Sequence, residues 1–390
     1  MERSDQDSRQ PASEPVVGVD LRPDESIQKI LISSASRFTG EFSSPNLLIT
    51  HAWPPFHAGR RDWFREDTPL SRTALVLSFR TVRSPKLPGF VVPNYEAAGQ
   101  IVAAVLSVLF GKKFETHGPL EMSGSFGVPD LSTFAVPNNP SLPHIGSNLR
   151  ADHPVPLEIS EARRMQMLFL GDHPDAAARS AFMAAARFYQ RALQAIEDDP
   201  EVAYLHLITA GEIIANHKPF VEAEHLDEQT RTALERIEQE MEGGKALASQ
   251  LRGKLRGIKR RFVSAIASYI DPGFFERTEA TDAFSAFRAD NFSQRLGAAY
   301  DLRSKSVHTG RPFGTWIAAR NDGAEVQHGQ PVIEEDKELA KILYRAPTFV
   351  GLERVLRYAL IGFAQELGAE MSDIGKGGSE GEDTERPADQ

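Results

Sequence analysis

Proline crowding between Val128 and Pro156, most visible in Val136-Pro-Asn-Asn-Pro140 and His153-Pro-Val-Pro156, constrains this chain more than any other feature. Each proline ring fixes φ, removes a backbone donor and pushes the preceding residue toward extended geometry, so a regular helix or a central strand does not run through such a stretch. The sequence pattern also changes here, near residues 150 to 175. A chain of 390 residues exceeds what one hydrophobic core usually serves. These features predict two domains, one spanning 25–160 and the other 165–368, joined through the proline-rich segment.

On the N-terminal side, short β-prone runs such as Asn46-Leu-Leu-Ile-Thr50 and Ala74-Leu-Val-Leu-Ser-Phe79 alternate with Pro and Gly punctuation. A helix is expected over Tyr95 to Phe110, where Ala98, Ile101, Val105 and Leu109 recur at helical spacing. The alternation reads as an α/β-type or α+β domain with a regulatory or sensing role. In it, His51-Ala-Trp-Pro-Pro-Phe-His57 and Arg60-Arg-Asp-Trp63 collect aromatic and basic groups in a loop that either packs on itself or reads a ligand. His51 and His57 lack a third ligand at recognisable spacing, so no zinc is assigned.

Beyond the prolines the pattern is almost wholly helical. Phe182, Ala186, Tyr189, Leu193 and Ile196 step by four, three, four and three, forming one apolar stripe. Asp199-Pro200 supplies an N-cap and a first-turn proline for a helix through Asn216. One or two helices are expected between Asp227 and Ile270, broken at Gly243-Gly244. Asp290 or Asn291 can cap a helix that reaches His308 and stops at Gly310 and Pro312. A last amphipathic helix is expected from about Glu335 to Leu367. The whole is α+β, ending in an all-α bundle.

Several function classes are excluded or disfavoured by composition. Zero cysteines removes disulfides, thiolate nucleophiles and cysteine-ligated metal sites. A net charge of -10 disfavours a sequence-blind nucleic-acid coat but leaves room for a local basic site. No apolar run approaches the roughly 18 to 20 residues that span a bilayer. The polar start, Met1 to Pro15, lacks the apolar core of a secretory signal, so a cytoplasmic location is expected. Residues 1–24 and 371–390 have little to bury and read as disordered tails. No P-loop, dinucleotide fingerprint, His-Glu-x-x-His or Gly-x-Ser-x-Gly motif occurs, and no cofactor or metal is assigned.

Chemistry concentrates in the helix before Gly310. Phe292, Leu296, Ala299, Arg303 and Val307 fall on one helical stripe, which sets an arginine on the face expected to be buried. Tyr300, Ser304 and His308 line the adjacent face. Arg303 and His308 are five residues apart, so they diverge by about 140° around the axis and about 7.5 Å along it. Two routes bring both to one phosphate. Fraying at Gly310 can swing His308 round, or a second copy can bring its own pair across a two-fold interface. Imidazole titrates near neutrality and guanidinium grips phosphate bidentately, so the pair suits metal-independent cleavage of RNA.

The run Tyr300-Asp-Leu-Arg303-Ser-Lys-Ser-Val-His308-Thr-Gly310 resembles the Arg-x4-His signature of HEPN domains, closest to the Apea-like branch. Tyr204-Leu-His-Leu-Ile-Thr-Ala-Gly-Glu212-Ile-Ile is similar to that branch's second helix, and Leu352-Glu-Arg-Val-Leu-Arg357-Tyr-Ala-Leu to its closing helix. The resemblance covers about residues 165 to 368. It implies a dimeric helical bundle whose nuclease members cleave RNA without metal, leave cyclic phosphate ends and serve as toxins or in phage defence. It places the catalytic pair at Arg303 and His308. One departure is Ser304, where active members often carry Asn, Asp or His. Serine keeps a hydroxyl but no charge.

Other readings stay open. Arg303 and His308 can instead be a salt-bridged arginine and a capping histidine, with Glu212 as the arginine's partner. Glu212 is either a structural ion-pair member or an orienter of a catalytic Arg303, and Tyr300 either packs in the core or touches substrate. Lys305 and Arg311 flank the motif as RNA-binding candidates. Arg252, Lys254, Arg256, Lys259, Arg260 and Arg261 can guide RNA or simply form a solvated face. The expected partners are RNA, such as tRNA or mRNA, a second copy of the chain, and a regulatory partner or phage-derived trigger at the N-terminal domain, with no membrane. The alternative is a non-catalytic module that binds RNA, a nucleotide or a protein.

Overall fold

A computed structural model describes residues 22, 24–52, 73–82, 95–122, 125–126, 142–170, 173–219, 228–248, 257–319 and 322–371. Residues 1–21 and 372–390 of the expected tails, the prolines between 128 and 141, the loop carrying His57 and Trp63, and the basic positions Arg252, Lys254 and Arg256 lie outside them.

The first half builds a sheet from β1 (Glu25–Ser34), β2 (Phe42–Ser43), β3 (Leu47–His51), β4 (Thr73–Val82) and, after helix α1 (Glu96–Phe110), β5 (Phe114–Pro119). A small hairpin of β6 (Glu121–Met122) and β7 (Ser125–Phe126) follows. The strand order is β2-β3-β4-β1-β5, and every ladder is antiparallel. The class is α+β, and the α/β-type expectation for this half is corrected. Strands β4 and β5 do run the same way with α1 crossing between them, as in a βαβ unit, but β1 is inserted between the two and pairs antiparallel with each.

Helix α1 covers one sheet face. Ile30, Ile32, Ile49, Leu75 and Leu77 are buried against its Val102, Val105, Leu106 and Leu109. Gly99 permits the close approach, since a Cβ there would sit 2.7 Å from Ile30 Cγ2.

The second half is helical: α2 (Gln166–Phe169), α3 (Ala176–Ala195), α4 (Pro200–His217), α5 (Glu228–Glu240), α6 (Ile258–Ala267), α7 (Pro272–Glu276), α8 (Phe292–Thr309), α9 (Gly314–Ile317), α10 (Lys337–Arg345) and α11 (Phe349–Glu366). The stripe expected on α3 is buried at every position, each large side chain contributing about 2 kcal/mol of apolar transfer. Asp199 caps α4 as its spacing predicts, accepting from Val202 N at 3.1 Å. No helix among the described residues is long and apolar enough to cross a membrane.

A single last helix was expected, and the structure has two. Pro347 cannot donate into a helical ladder, Ala346 before it is extended (φ -65, ψ 142), and Thr348 restarts the chain by capping Gly351 N at 3.1 Å. Nor is α11 amphipathic, since every residue from Phe349 to Ile361 is buried, Glu353, Arg354 and Arg357 included.

Those charges bind the two halves together. Arg150 forms a fork with Glu353 (2.8 and 2.6 Å) and another with Glu279 (2.5 and 3.0 Å). Arg357 meets Asp152 at 2.8 Å and donates to the orphan carbonyls of Val108 and Leu109 at the end of α1. Arg354 reaches Glu325 at 2.7 Å and lies 3.9 Å over the Phe274 ring. The hydrophobic cluster is likewise continuous from the sheet and α1 through α3, α4, α8 and α11. At residues 150 to 175 the secondary structure changes while the core runs on.

Candidate functional site

Helix α8 lies against α4, and its first two thirds are anchored by Phe292, Leu296, Ala299 and Leu302 in the core. Past Leu302 the helix leaves the core. The stripe extrapolated from Phe292 therefore ends early: Arg303 keeps 32% side-chain exposure, and Val307 is 58% exposed, against the expectation that both are buried. Periodicity fixes which residues share a face, but not how far a neighbouring helix extends along it.

Glu212 on α4 organises this end. Tyr300 donates its hydroxyl to Glu212 Oε1 at 2.9 Å, and Glu212 Oε2 lies 3.6 Å from Arg303 Nη2. Burial and then the hydrogen bond to Glu212 push the Tyr300 phenol above its usual range, so it stays a donor. Tyr300 also packs in the core against Phe262, with ring centroids 5.6 Å apart. It thus packs in the core, one of the two roles the sequence offers, and also carries the hydrogen bond to Glu212. Glu212, Tyr300 and Arg303 form one array in which the carboxylate is fixed by the phenol and attracts the guanidinium without a direct hydrogen bond. Burial of Arg303 behind a tight ion pair would need a shorter contact and a closed surface.

His308 is exposed and remains inside α8, which is regular through Thr309 and ends at left-handed Gly310 (φ 66) with Gly310 N donating to Ser306 O at 2.7 Å. No fraying swings the imidazole toward Arg303. Ser304 is half-buried beside them.

Lys305 and Arg311, RNA-binding candidates in the sequence, both lie near Asp336. Lys305 is held by Asp336 at 3.1 Å and Glu338 at 2.9 Å, and Arg311 lies 3.8 Å from Asp336. Asp336 is the N-cap of α10, so both cations dock that helix onto α8. Lys259 and Arg260 lie on α6, and Lys259 pairs with Asp301 of α8 at 2.5 Å. Arg256 falls outside the described residues. Among the described residues no group of three or more His, Asp or Glu side chains is placed to hold a metal ion.

The buried ionic layer around α11 was missed in the sequence. A signal was present: Leu352-Glu-Arg-Val-Leu-Arg357-Tyr-Ala-Leu sets three charges into an apolar run with no polar face to receive them. Arg150, Asp152, Glu353, Arg354 and Arg357 of this layer are buried, and it holds the halves together.

No family model matches this chain, and neither the curated proteins nor the solved structures give a match.

Proposed function

We propose that this chain is a metal-independent endoribonuclease of the HEPN type, with a composite site that forms when two copies bring their Arg303 and His308 pairs to one cleft. The observation that carries the reading is the poise of Arg303: a third exposed, 3.6 Å from a Glu212 that Tyr300 holds in place, on the same helix as an exposed His308. A guanidinium aimed by a carboxylate and still open to solvent is ready to take a phosphoryl oxygen pair.

In this reading one imidazole accepts the 2′-hydroxyl proton, the 2′-oxygen attacks the adjacent phosphorus, and Arg303 stabilises the charge on the non-bridging oxygens. The protonated imidazole (imidazolium) of a second copy then gives its proton to the departing 5′-oxygen as the P–O5′ bond breaks, leaving a 2′,3′-cyclic phosphate and a 5′-hydroxyl. Since α8 stays helical through His308, the pair in one copy remains divergent, which favours the two-copy route. A toxin or phage-defence role, with the sheet-bearing half as regulator, extends the same proposal.

Incubating the purified protein with tRNA and with mRNA in EDTA tests it. Cleavage with cyclic phosphate ends is expected, lost in Arg303→Ala and in His308→Ala. Intact RNA, or cleavage indifferent to both substitutions, would sink the reading.

A second reading is a non-catalytic module that binds RNA, a nucleotide or a protein. It is favoured by Ser304, a hydroxyl without charge where active members often carry Asn, Asp or His, and by the net charge of -10. Full cellular effect and full RNA affinity in His308→Ala would select it.

A further inference from the structure

Helix α4 lies between α3 and α8, and part of its surface stays exposed between them. Phe188 of α3 meets His206 on one border of that surface, ring centroids 5.5 Å apart, and Tyr300 and Arg303 of α8 meet Glu212 on the other. His206 and Glu212 are six residues apart, so they point about 120° from each other around α4. Between these borders Val202 is 38% exposed, and Leu205, Thr209 and Ile213 are half-buried. Helix α8 runs antiparallel to α4, since Tyr300 bonds Glu212 while Phe313, past the end of α8, donates to Glu201 at 2.9 Å. The stretch from Arg303 to His308 and the surroundings of His206 therefore flank the same length of α4.

Beyond His206, α3 carries two arginines without a counter-charge. Arg187 and Arg191 are four residues apart, on one side of the helix, where like charges repel. Among the described residues neither side chain makes an ion pair or a hydrogen bond, and Arg187 Nε is buried with no acceptor, a state in which few native polar groups are left. Arg191 lies 5.5 Å over the Phe188 ring, a contact that positions the guanidinium and leaves its donors unspent. The carboxylates of the following loop do not answer it: Glu197 pairs with Lys113 at 3.0 Å, Asp199 caps α4, and Asp198 makes no ion pair among the described residues. Burial, and then the charge of Arg191, hold the His206 imidazole below its ordinary value, so Arg191 acts on its surroundings as an open positive charge.

We propose that these residues form a track for single-stranded RNA, running from Arg303 across the exposed face of α4 to Arg191 and Arg187. The proposal rests on RNA as the ligand at Arg303, and it adds the form of the substrate and the residues that grip it away from the cut. A guanidinium takes a phosphate through two parallel N–H donors, and both arginines have those donors to give. What lies between the cations selects the form of the strand. Val202, Leu205, Ile213 and Phe188 offer apolar surface, which suits unstacked base faces, whereas a duplex keeps its bases inside and presents ribose and phosphate. The crossing covers two neighbouring helix packings, about 16 to 20 Å in all, a length of a few nucleotides.

The probe is a fluorescein-labelled unpaired RNA of about 12 nucleotides, methylated at every 2′-oxygen so that it cannot attack its own phosphates. It is titrated with the full chain and followed by anisotropy. Arg191→Gln and Arg187→Gln are each expected to weaken binding by about threefold to tenfold near 0.1 M salt, and to lower the slope of log affinity against log salt by about 0.7, the value for one phosphate contact on a single strand. Arg191→Lys should keep that slope, and Lys29→Gln, at an exposed lysine of β1, should change neither quantity. The same RNA in a duplex should compete about tenfold more weakly or worse. Wild-type affinity and slope in both glutamine variants overturn the proposal. So does an equal loss in Lys29→Gln, a duplex that competes as well as the strand, or a wild-type chain that binds no RNA. Should Arg187→Gln fail to fold, Arg191→Gln, at an exposed position, decides alone. The result is separable from that of the ribonuclease reading. Absence of cleavage in EDTA leaves a binding loss in these variants standing, and cleavage with unchanged binding in them strikes the track while the cleavage reading stands.

Discussion

Glu212 Oε2 lies 3.6 Å from Arg303 Nη2, near enough to attract and too far for a hydrogen bond, while its other oxygen is occupied by the Tyr300 hydroxyl at 2.9 Å. The arginine is thus aimed without being consumed. Glu212→Gln separates an orienting role for Glu212 from a structural one. Under the proposed ribonuclease reading, Glu212→Gln keeps an acceptor for Tyr300 and removes the charge that aims Arg303. A fall of about tenfold in cleavage rate is expected with a midpoint change of about 2 °C or less. A purely structural carboxylate would show the reverse, with an unchanged rate and a clear loss of thermal stability.

Asp152 is fully buried between Arg357 and Arg354. Burial by itself raises its carboxyl, and the charges of Arg357, Arg150 and Arg354 outweigh that, holding it below the usual carboxylate range. Asp152→Asn leaves Arg357 in the interior without its counter-charge and should cost about 3 to 5 kcal/mol in urea unfolding. The exposed pair Lys218 and Glu366 is as close, at 2.6 Å, yet Lys218→Met should cost about 1 kcal/mol or less. Equal losses at the two places would refute the view that burial sets the cost.

His153 gives stability a specific pH dependence. Burial, and then the charge of Arg357, push its imidazole down to about 4, below the ordinary value of 6.5. Between those two values the unfolded chain binds a proton that the folded chain refuses, so stability declines as pH falls from about 6.5 toward 4 and this contribution then levels off. The full span corresponds to about 3 kcal/mol. Denaturant curves at pH 7, 5.5 and 4.5 should show the decline, and His153→Phe should flatten it. A His153→Phe curve parallel to the wild type would refute the assignment.

Gly111 and Gly310 both end helices in the left-handed region, at φ 62 and φ 66. Their surroundings differ. A Cβ at Gly111 would come within 2.7 Å of Arg150 Nη1 and Arg357 Nε, whereas nothing lies within 4 Å of one at Gly310. Gly310→Ala should therefore cost only the backbone strain, about 1 kcal/mol, and Gly111→Ala about 2 kcal/mol or more, because it also displaces two buried guanidinium groups. Equal costs would mean that the ionic layer yields freely.

What the sequence determined by itself is local. Helix α1, the stripe of α3, the Asp199-Pro200 start of α4 and the Gly310 stop of α8 were legible because spacing, capping and φ preferences act over a few residues. The adjacency of Tyr300 and Arg303 on α8 follows from the same short-range geometry, and Glu212 could be nominated as the partner of Arg303 from its place in an apolar run, whereas its bond to Tyr300 could not.

Only the tertiary structure decided the rest. It set β1 between β4 and β5, made every ladder antiparallel, and used Arg150 and Asp152 from within the proline-rich segment to neutralise the charges of α11. It also ended the burial of α8 at Leu302, leaving Arg303 half-buried and Val307 exposed on a stripe that periodicity alone continues inward. The physical reason is common to these cases. A side chain's environment depends on elements distant in sequence, and neither strand order, nor the partner of a buried charge, nor the length of a covering helix is encoded in the spacing of nearby residues.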